Sequence, residues 1–330
     1  DNPPTRLCPT ASTDTSRMLL EFVLFVVGLV LLVVGASRAV EAAGELAIYY
    51  GVSTFFVGVT VISIGTSIPE MTTSVFAALY GAGDVVVGNI VGSETAQITL
   101  AIGLVALISP IVAERRNVLV YGGAMVLAMV VMILTLDDGR IGRSEGFLMM
   151  LAYVNFVYTL YSNEGGGEVG EEIAEEVEPE ETELEQQART VPWIVAGLGM
   201  VVLGGHLLVT NGVAIARLFG ISEFLIGVLT GLGTTAPELV VAGLAARAGD
   251  EGISVGAILG SNITDPVFSL GIGALFADVV VTDTRGVLVA SAYMLVVSLA
   301  VLGIMYVERG IDRRAAVACL ALYLPSFLFV

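Results

Sequence analysis

Long apolar runs limit most strongly what this chain can fold into. Runs of about twenty residues recur from Met18 to Val330, and each is long enough to cross a hydrocarbon core roughly 30 Å thick. Of the 330 residues, 56% are hydrophobic and 14% are charged, which is more apolar and less charged than soluble domains are. The sequence therefore predicts an all-α polytopic protein of the lipid bilayer.

Charged residues, glycines and prolines divide the apolar sequence into ten candidate membrane spans. The spans lie at 19–37, 45–80, 85–109, 118–136, 144–161, 192–216, 222–246, 253–277, 286–307 and 314–330. Five precede an acidic segment and five follow it. We therefore expect four regions: an extracellular N-terminal tail (1–17), a first transmembrane repeat (18–161), an acidic cytoplasmic linker (162–190) and a second transmembrane repeat (191–330).

The segment 162–190 contains eleven glutamates and one arginine. Such a run cannot bury a core and predicts a solvated connector, with calcium buffering as an alternative role. The tight clusters Arg115–Arg116 and Arg313–Arg314 fall in short loops on the same side as this linker. The positive-inside rule then places the linker in the cytoplasm and both termini outside the cell membrane.

Thiol and imidazole groups are too scarce to form a metal centre. The chain has two cysteines, Cys8 and Cys319, and one histidine, His206. Any metal ion must therefore be held by oxygen. We expect no cofactor, no enzymatic activity and no nucleic-acid partner.

The two halves of the sequence match each other. GTSIPE at 65–70 corresponds to GTTAPE at 233–238, and GNIVGS at 88–93 corresponds to GAILGS at 256–261, both at a separation of 168 residues. Because each half has an odd number of predicted spans, the second half enters the membrane from the opposite side. The sequence thus predicts two inverted five-helix repeats, an arrangement that suits alternating access to a shared site.

Each half places a proline and a glutamate inside an apolar span. Pro69 and Pro237 lack the amide donor that would reach the carbonyls of Gly65 and Gly233, so both helices are expected to break there. Glu70 and Glu238 follow directly. An ionisable group in a membrane interior costs at least about 3 kcal/mol unless it is compensated, and no Lys or Arg lies nearby in these spans. The counter-ion is therefore expected to come from solution.

Further oxygen-bearing residues lie four positions apart and so share helix faces if the intervening turns are helical. The pairs are Thr66 with Glu70, Thr234 with Glu238, Ser93 with Gln97, and Ser261 with Asp265. Carboxylates, an amide, hydroxyls and freed carbonyls form a hard-ligand set that suits Ca²⁺ and, with fewer ligands, Na⁺. Because clustered carboxylates cannot all stay ionised without a cation, protons are expected to compete with these ions.

These paired sequences resemble the calcium/cation antiporter superfamily, specifically its sodium/calcium exchanger branch of prokaryotic type. The resemblance covers nearly the whole chain and implies ten helices and exchange of Na⁺ for Ca²⁺. It implies that Glu70 and Glu238 bind both ions and that Asp265 and Gln97 occupy the remaining central positions. It also implies backbone carbonyl ligands from two threonines and Na⁺ sites at four hydroxyl residues: Thr66 and Thr234 for the former, and Ser67, Thr235, Ser93 and Ser261 for the latter. Helices 1 and 6 would slide together against the other eight.

Three positions depart from the family pattern. Glu94 stands where the family has Asn and adds a carboxylate beside the site, so it is a further candidate ligand. Gln97 is one methylene longer than the expected Asn, and Thr235 replaces a Ser. These departures leave the stoichiometry and the driving ion open, with H⁺-coupled or K⁺-coupled exchange as the alternatives.

Two other classes of function were weighed. The string Gly81-Ala82-Gly83-Asp84 matches a GxGD sequence of intramembrane aspartyl proteases, but that chemistry needs a second aspartate within hydrogen-bond reach, and a turn is the favoured interpretation. A cation channel is the other alternative. His206, outside the paired sequences, is interpreted as structural in preference to a proton relay.

Overall fold

The computed structural model describes residues 11–49, 63–160, 183–248 and 251–328, and these residues are mostly helical. The first half contains α1 (Ala11–Tyr49), α2 (Ser63–Thr66), α3 (Ile68–Leu79), α4 (Gly83–Ala96), α5 (Ile102–Ile108), α6 (Arg115–Asn117), α7 (Gly123–Thr135) and α8 (Arg143–Leu160). The second half contains α9 (Glu183–Phe219), α10 (Glu223–Thr234), α11 (Ala236–Ala248), α12 (Glu251–Thr264), α13 (Leu270–Phe276), α14 (Thr284–Glu308) and α15 (Arg313–Tyr323).

Three π-helical turns join helices that would otherwise be continuous. Gln97–Ala101 joins α4 to α5, Val118–Gly122 joins α6 to α7, and Asp265–Ser269 joins α12 to α13. A 3₁₀ helix, Leu324–Leu328, follows α15. π-turns widen a helix locally and occur often at functional sites.

Four two-residue strands form two antiparallel pairs between the ends of helices. β1 (Ile111–Val112) pairs with β4 (Gly310–Ile311), and β2 (Arg140–Ile141) pairs with β3 (Val279–Val280). The apolar periodicity gave no sign of these strands, because two residues are too few to show an alternating pattern. Each pair joins a loop of the first half to a loop of the second.

Six helical stretches among the described residues are long and apolar enough to cross a membrane. They are Met18–Gly35, Gly83–Ile108, Arg115–Thr135, Thr190–Phe219, Val255–Phe276 and Thr284–Glu308. Some of the other predicted spans contain helix interruptions: 222–246 is divided between α10 and α11, and 45–80 contains the break between α2 and α3 and residues outside the described ranges. The chain is thus a helical protein with several candidate membrane spans.

Two helices extend beyond their predicted spans. α1 begins at Ala11, inside the predicted tail, and α9 begins at Glu183, inside the predicted linker. The span predictions end where charge begins, but a helix continues through Glu, Gln and Arg because these residues have good helix propensity. Most of the remaining linker, residues 161–182, lies outside the described ranges.

Close backbone contacts position the helices around the interior. α1 packs along α9, and α4 packs along α10. At the α4–α10 contact, a Cβ added to Gly92 would lie 2.5 Å from the Val228 carbonyl oxygen, and one added to Gly227 would lie 2.6 Å from that of Val85. Small residues let membrane helices approach this closely, as the glycine spacing in α4 predicts.

Candidate ion-binding site

Two helix interruptions define the centre of the candidate site. Between α2 and α3 the backbone turns at Ser67, whose N–H donates to the Ser63 carbonyl at 3.1 Å; between α10 and α11 it turns at Thr235, whose N–H donates to the Gly231 carbonyl at 3.1 Å. Each turn lies two residues before a proline, which cannot donate a backbone hydrogen bond. The predicted helix breaks are therefore present as single-residue interruptions.

Four carboxylates lie in the interior around these breaks. Glu70 is in the first turn of α3 and Glu238 in the first turn of α11. Glu94 is near the end of α4, and Asp265 begins the third π-turn. All four side chains are 0% exposed. Glu70 interacts electrostatically with Glu238 and Asp265, and Glu94 interacts with the other three.

The glutamates have no protein groups that neutralise them in the described part of the chain. Both carboxylate oxygens of Glu70, Glu94 and Glu238 are buried without a hydrogen-bond donor. Thr234 lies beside Glu70, and Thr66 lies beside Glu238, without reaching hydrogen-bond geometry. Every arginine whose side chain the structure describes is exposed. Buried, unpaired carboxylates are strongly unfavourable, so the arrangement calls for a cation.

Asp265, by contrast, receives two hydrogen bonds from the protein. Gln97 Nε2 donates to Asp265 Oδ2 at 3.2 Å, and Ser269 Oγ donates to Oδ1 at 2.8 Å. Gln97 Oε1 in turn accepts from Asn262 Nδ2 at 2.7 Å. Ser67 lies beside Asp265, but its hydroxyl has no partner in the described ranges. The two residues predicted at the remaining central positions are thus in direct contact.

Hydroxyl groups connect the two halves near the glutamates. Thr66 Oγ1 and Ser261 Oγ lie 3.2 Å apart, and Ser63 Oγ and Thr264 Oγ1 are also 3.2 Å apart. On the opposite side, Thr234 Oγ1 donates to Asn89 Oδ1 at 3.5 Å. Ser261 and Thr66 are therefore brought together, as their positions in the paired sequences suggest.

Two candidate hydroxyls instead bond to their own helices. Ser93 Oγ donates to the Ile90 carbonyl at 3.1 Å, and Thr235 Oγ1 donates to the Gly231 carbonyl at 2.8 Å. Their oxygens retain free lone pairs because a hydroxyl donates one hydrogen and accepts through two sites. Both residues are buried beside the helix break or the glutamates, so they remain available as cation ligands.

The described residues contain no group of three Asp, Glu, His or Cys side chains close enough to form a metal cage. A cation bound here must therefore combine carboxylates from both halves with hydroxyl, amide or backbone oxygens. Mixed oxygen ligation of this kind suits Ca²⁺ and does not require a dense acidic cage.

Several polar residues at the site were not predicted from the sequence. Asn89, Asn262 and Ser269 contact the predicted residues directly, and Thr264 donates to the Tyr153 hydroxyl at 3.0 Å. Ser269 lies four residues after Asp265, a spacing that could have indicated a shared helix face. Tyr153 is on α8, and no sequence pattern connects it with the site.

The two residues that suggested other functions have local partners. Asp84 accepts a hydrogen bond from the Thr282 N–H at 3.0 Å and another from the Thr282 hydroxyl. His206 Nδ1 lies 2.6 Å from the Tyr80 hydroxyl, and its ring contacts Phe76. These contacts give Asp84 a role in joining α4 to the β3–α14 loop and give His206 a role in joining α9 to α3.

Comparison with known proteins identifies the class of this chain: it belongs to the sodium/calcium exchanger protein family, whose model matches residues 20–162 and 190–330. The sodium/calcium exchanger MaX1 of Methanosarcina acetivorans is 28% identical over 296 residues, which cover 79% of this chain and 84% of MaX1. The inner membrane protein YrbG of Escherichia coli K12 is 33% identical over 220 residues, covering 62% of this chain and 64% of YrbG.

The fold is also similar to solved structures of an exchanger. The sodium-calcium exchanger NCX_Mj, soaked with 10 mM Na⁺ and zero Ca²⁺, is 29% identical in sequence and superposes with a TM-score of 0.64. The match covers 94% of this chain and 99% of NCX_Mj. The protein is therefore a multi-pass membrane transporter of the cation exchanger class, and not an enzyme.

Proposed function

We propose that the protein is a secondary antiporter that exchanges Na⁺ for Ca²⁺ across the cell membrane by alternating access. The carrying observation is the pair of buried carboxylates, Glu70 and Glu238, each at a helix break and each without a donor in the described residues. A transported cation supplies the missing positive charge. Because the carboxylates need a cation to remain buried, the loaded site favours conformational change over the unloaded one.

The ligands of this site come from both halves. Glu70 and Glu238 bind Ca²⁺ or Na⁺ directly, and the backbone carbonyls of Thr66 and Thr234 contribute near the breaks. The hydroxyls of Ser67, Thr235, Ser93 and Ser261 serve flanking Na⁺ ions, while Asp265 and Gln97 complete the centre. Their burial and the contacts Thr66–Ser261 and Gln97–Asp265 support this assignment.

Alternating access in this proposal relies on two inverted five-helix repeats with ten membrane-spanning helices. The π-turns Gln97–Ala101 and Asp265–Ser269 support it, since they begin 168 residues apart, the same separation as the paired sequences. The strand pairs support it as well, because β1–β4 in the first half's numbering corresponds to β3–β2 in the second. Such pseudo-symmetry gives two equivalent arrangements around one site.

Within this topology, residues 18–161 and 191–330 form the two repeats. The acidic linker 162–190 lies in the cytoplasm, and both termini, including the tail 1–17, lie outside. The arginine clusters Arg115–Arg116 and Arg313–Arg314 on the linker side support this orientation through the positive-inside rule.

Transport by purified protein in liposomes tests the proposal. An outward Na⁺ gradient should drive uptake of ⁴⁵Ca²⁺ by the wild-type protein, and Glu70→Gln or Glu238→Gln should abolish it, because an amide cannot neutralise a bound cation. Glu145→Gln is the matched control. Glu145 is also an acidic residue in the first turn of a helix, but it accepts a hydrogen bond from the Gly142 N–H at 2.7 Å, far along the chain from the paired sequences.

The same vesicles separate the alternatives. Uptake that ignores the Na⁺ gradient but follows a pH or K⁺ gradient would assign H⁺ or K⁺ as the driving ion and contradict Na⁺ exchange. Calcium flux that persists without any counter-ion would instead identify a channel.

A further inference from the structure

Glu94 belongs to a pair of positions in which the two halves exchange an acid for an amide. In the first half Glu94 precedes Gln97 by three residues, and in the second half Asn262 precedes Asp265 by three. Glu94 and Asn262 are separated by 168 residues, as are Gln97 and Asp265. The carboxylate therefore stands first in one half and second in the other.

This exchange has different consequences on the two sides of the site. On one side, two amides meet, and Asn262 Nδ2 donates to Gln97 Oε1 at 2.7 Å. The corresponding pair on the other side is Glu94 with Asp265, two carboxylates that carry no proton to donate when ionised. Of the charged groups that act on Glu94, Asp265 acts most strongly, followed by Glu70 and Glu238.

No described protein group replaces the hydrogen bond that the amide pair makes. Both oxygens of Glu94 are fully buried without a donor in residues 63–160, 183–248 and 251–328 or elsewhere in the described chain. Asp265 has one donor on each oxygen, Gln97 and Ser269, and these leave further lone pairs free. Two neighbouring buried carboxylates repel each other unless a cation lies between them.

We propose that Glu94 and Asp265 together bind a monovalent cation, Na⁺, in addition to the ion held by Glu70 and Glu238. Ca²⁺ takes six to eight oxygens, whereas Asp265 already accepts two hydrogen bonds from the protein and so offers few. The inference rests on the proposed exchange of Na⁺ for Ca²⁺ and adds a residue, Glu94, that sets how many Na⁺ ions are bound. Glu94 thereby determines the Na⁺ dependence of exchange without being required for Ca²⁺ binding.

The test measures how Na⁺ displaces ⁴⁵Ca²⁺ from purified protein and how Na⁺ drives ⁴⁵Ca²⁺ uptake in liposomes. Glu94→Gln removes the charge while keeping the side-chain shape, and Glu94→Asn installs the residue that the second half has at this position. Both variants should retain Ca²⁺ binding, while the Hill coefficient for Na⁺ falls by about one, because that coefficient is bounded by the number of sites. Correct folding is checked by size-exclusion chromatography, and the Asn variant replaces the Gln variant if the latter aggregates.

Asp84→Asn is the matched control. It removes a carboxylate from the first turn of the same helix, about 15 Å away at 1.5 Å per residue, and Asn retains an oxygen that accepts from Thr282. This variant should keep the wild-type Hill coefficient.

The outcomes are distinguishable. An unchanged Hill coefficient in both Glu94 variants overturns the inference. So does an unchanged coefficient with an altered pH dependence, because a proton would then occupy this position. Loss of Ca²⁺ binding in both variants also overturns it, since Glu94 would then belong to the Ca²⁺ site. Absence of Na⁺-driven uptake in the wild-type protein would contradict the proposed function itself, and displacement of ⁴⁵Ca²⁺ by Na⁺ would still report on Glu94.

Discussion

Asp265 and the three buried glutamates depend on different sources of stabilisation. Asp265 receives hydrogen bonds from Gln97 and Ser269, so the protein itself fixes its carboxylate. Glu70, Glu94 and Glu238 receive none from the described residues. A carboxylate with fixed donors keeps its position whether or not an ion is bound, whereas the glutamates are free to close around a cation. The site therefore combines a fixed side with an adaptable one.

The Ser269 hydroxyl should contribute measurably to stability. Ser269→Ala removes a donor to a buried carboxylate, and hydrogen bonds to charged groups contribute about 1.5–3 kcal/mol. Thermal unfolding in detergent should show a lower Tm. Ser298→Ala is the control, because Ser298 is equally buried on α14 and its hydroxyl has no partner among the described residues. An equal loss of stability in both variants would contradict the role of the Ser269 bond.

Sequence reasoning predicted some of these residues and missed others for a physical reason. Glu70 and Glu238 were predictable because a glutamate after a proline inside an apolar run is costly wherever the run packs. The contact between Asn262 and Gln97 was not, because it depends on how α4 and α12 approach each other and on rotamers that a sequence does not specify. The roles of the individual ligands stay predictions until transport is measured.

At the scale of helices, the α4–α10 contact depends on glycine. A Cβ on Gly227 would lie 2.6 Å from the Val85 carbonyl oxygen and 2.8 Å from the Gly88 Cα, distances that force the backbones apart. The same helices carry Glu94 and Thr234. Their separation is therefore coupled to the geometry of the candidate site.

Gly227→Ala should destabilise the protein and weaken transport. Overpacking costs roughly 1–3 kcal/mol, and the shift would displace the Ser93 and Thr234 region. Gly303→Ala in α14 serves as the control, because its added Cβ meets nothing within 4 Å, and alanine is favoured over glycine in a helix by about 0.5–1 kcal/mol. Thermal unfolding and ⁴⁵Ca²⁺ uptake are the measurements. Equal stability of the two variants would refute the close-contact explanation.

Helix positions were largely predictable, while their interruptions were only partly so. The predicted spans 85–109, 118–136 and 286–307 agree within a few residues with Gly83–Ile108, Arg115–Thr135 and Thr284–Glu308. The helix breaks at Ser67 and Thr235 followed from proline. The π-turns carry no comparable sequence signal, since they arise from packing against neighbouring helices rather than from a missing donor.

At the scale of the whole molecule, the short strands constrain which loops share a side of the membrane. β1 and β4 must lie on one side, and β2 and β3 must lie together on a side of their own. α6 and α7, with the π-turn between them, form a single apolar stretch, Arg115–Thr135, that separates β1 from β2. The two strand pairs are therefore expected on opposite faces.

Chemical labelling tests this topology. Val112 in β1 and Val280 in β3 are 62% and 53% exposed, so a cysteine at either position should react readily. In a Cys8→Ser background, a membrane-impermeant maleimide should label Val112→Cys only from the cytoplasmic face and Val280→Cys only from the external face. The background protein is the control, because Cys319 is fully buried. Labelling of both positions from one face would rule out the ten-span arrangement.

The strand pairs also determine which parts of the molecule are tethered. Each pair clasps a loop of one half to a loop of the other, so the helices that lead into these loops form a stiff frame laced at both ends. α1 and α9 pack against each other, and neither leads directly into one of the four strands. These two long rods can therefore shift as a unit along the frame, opening a path to the buried glutamates from one side while closing it from the other.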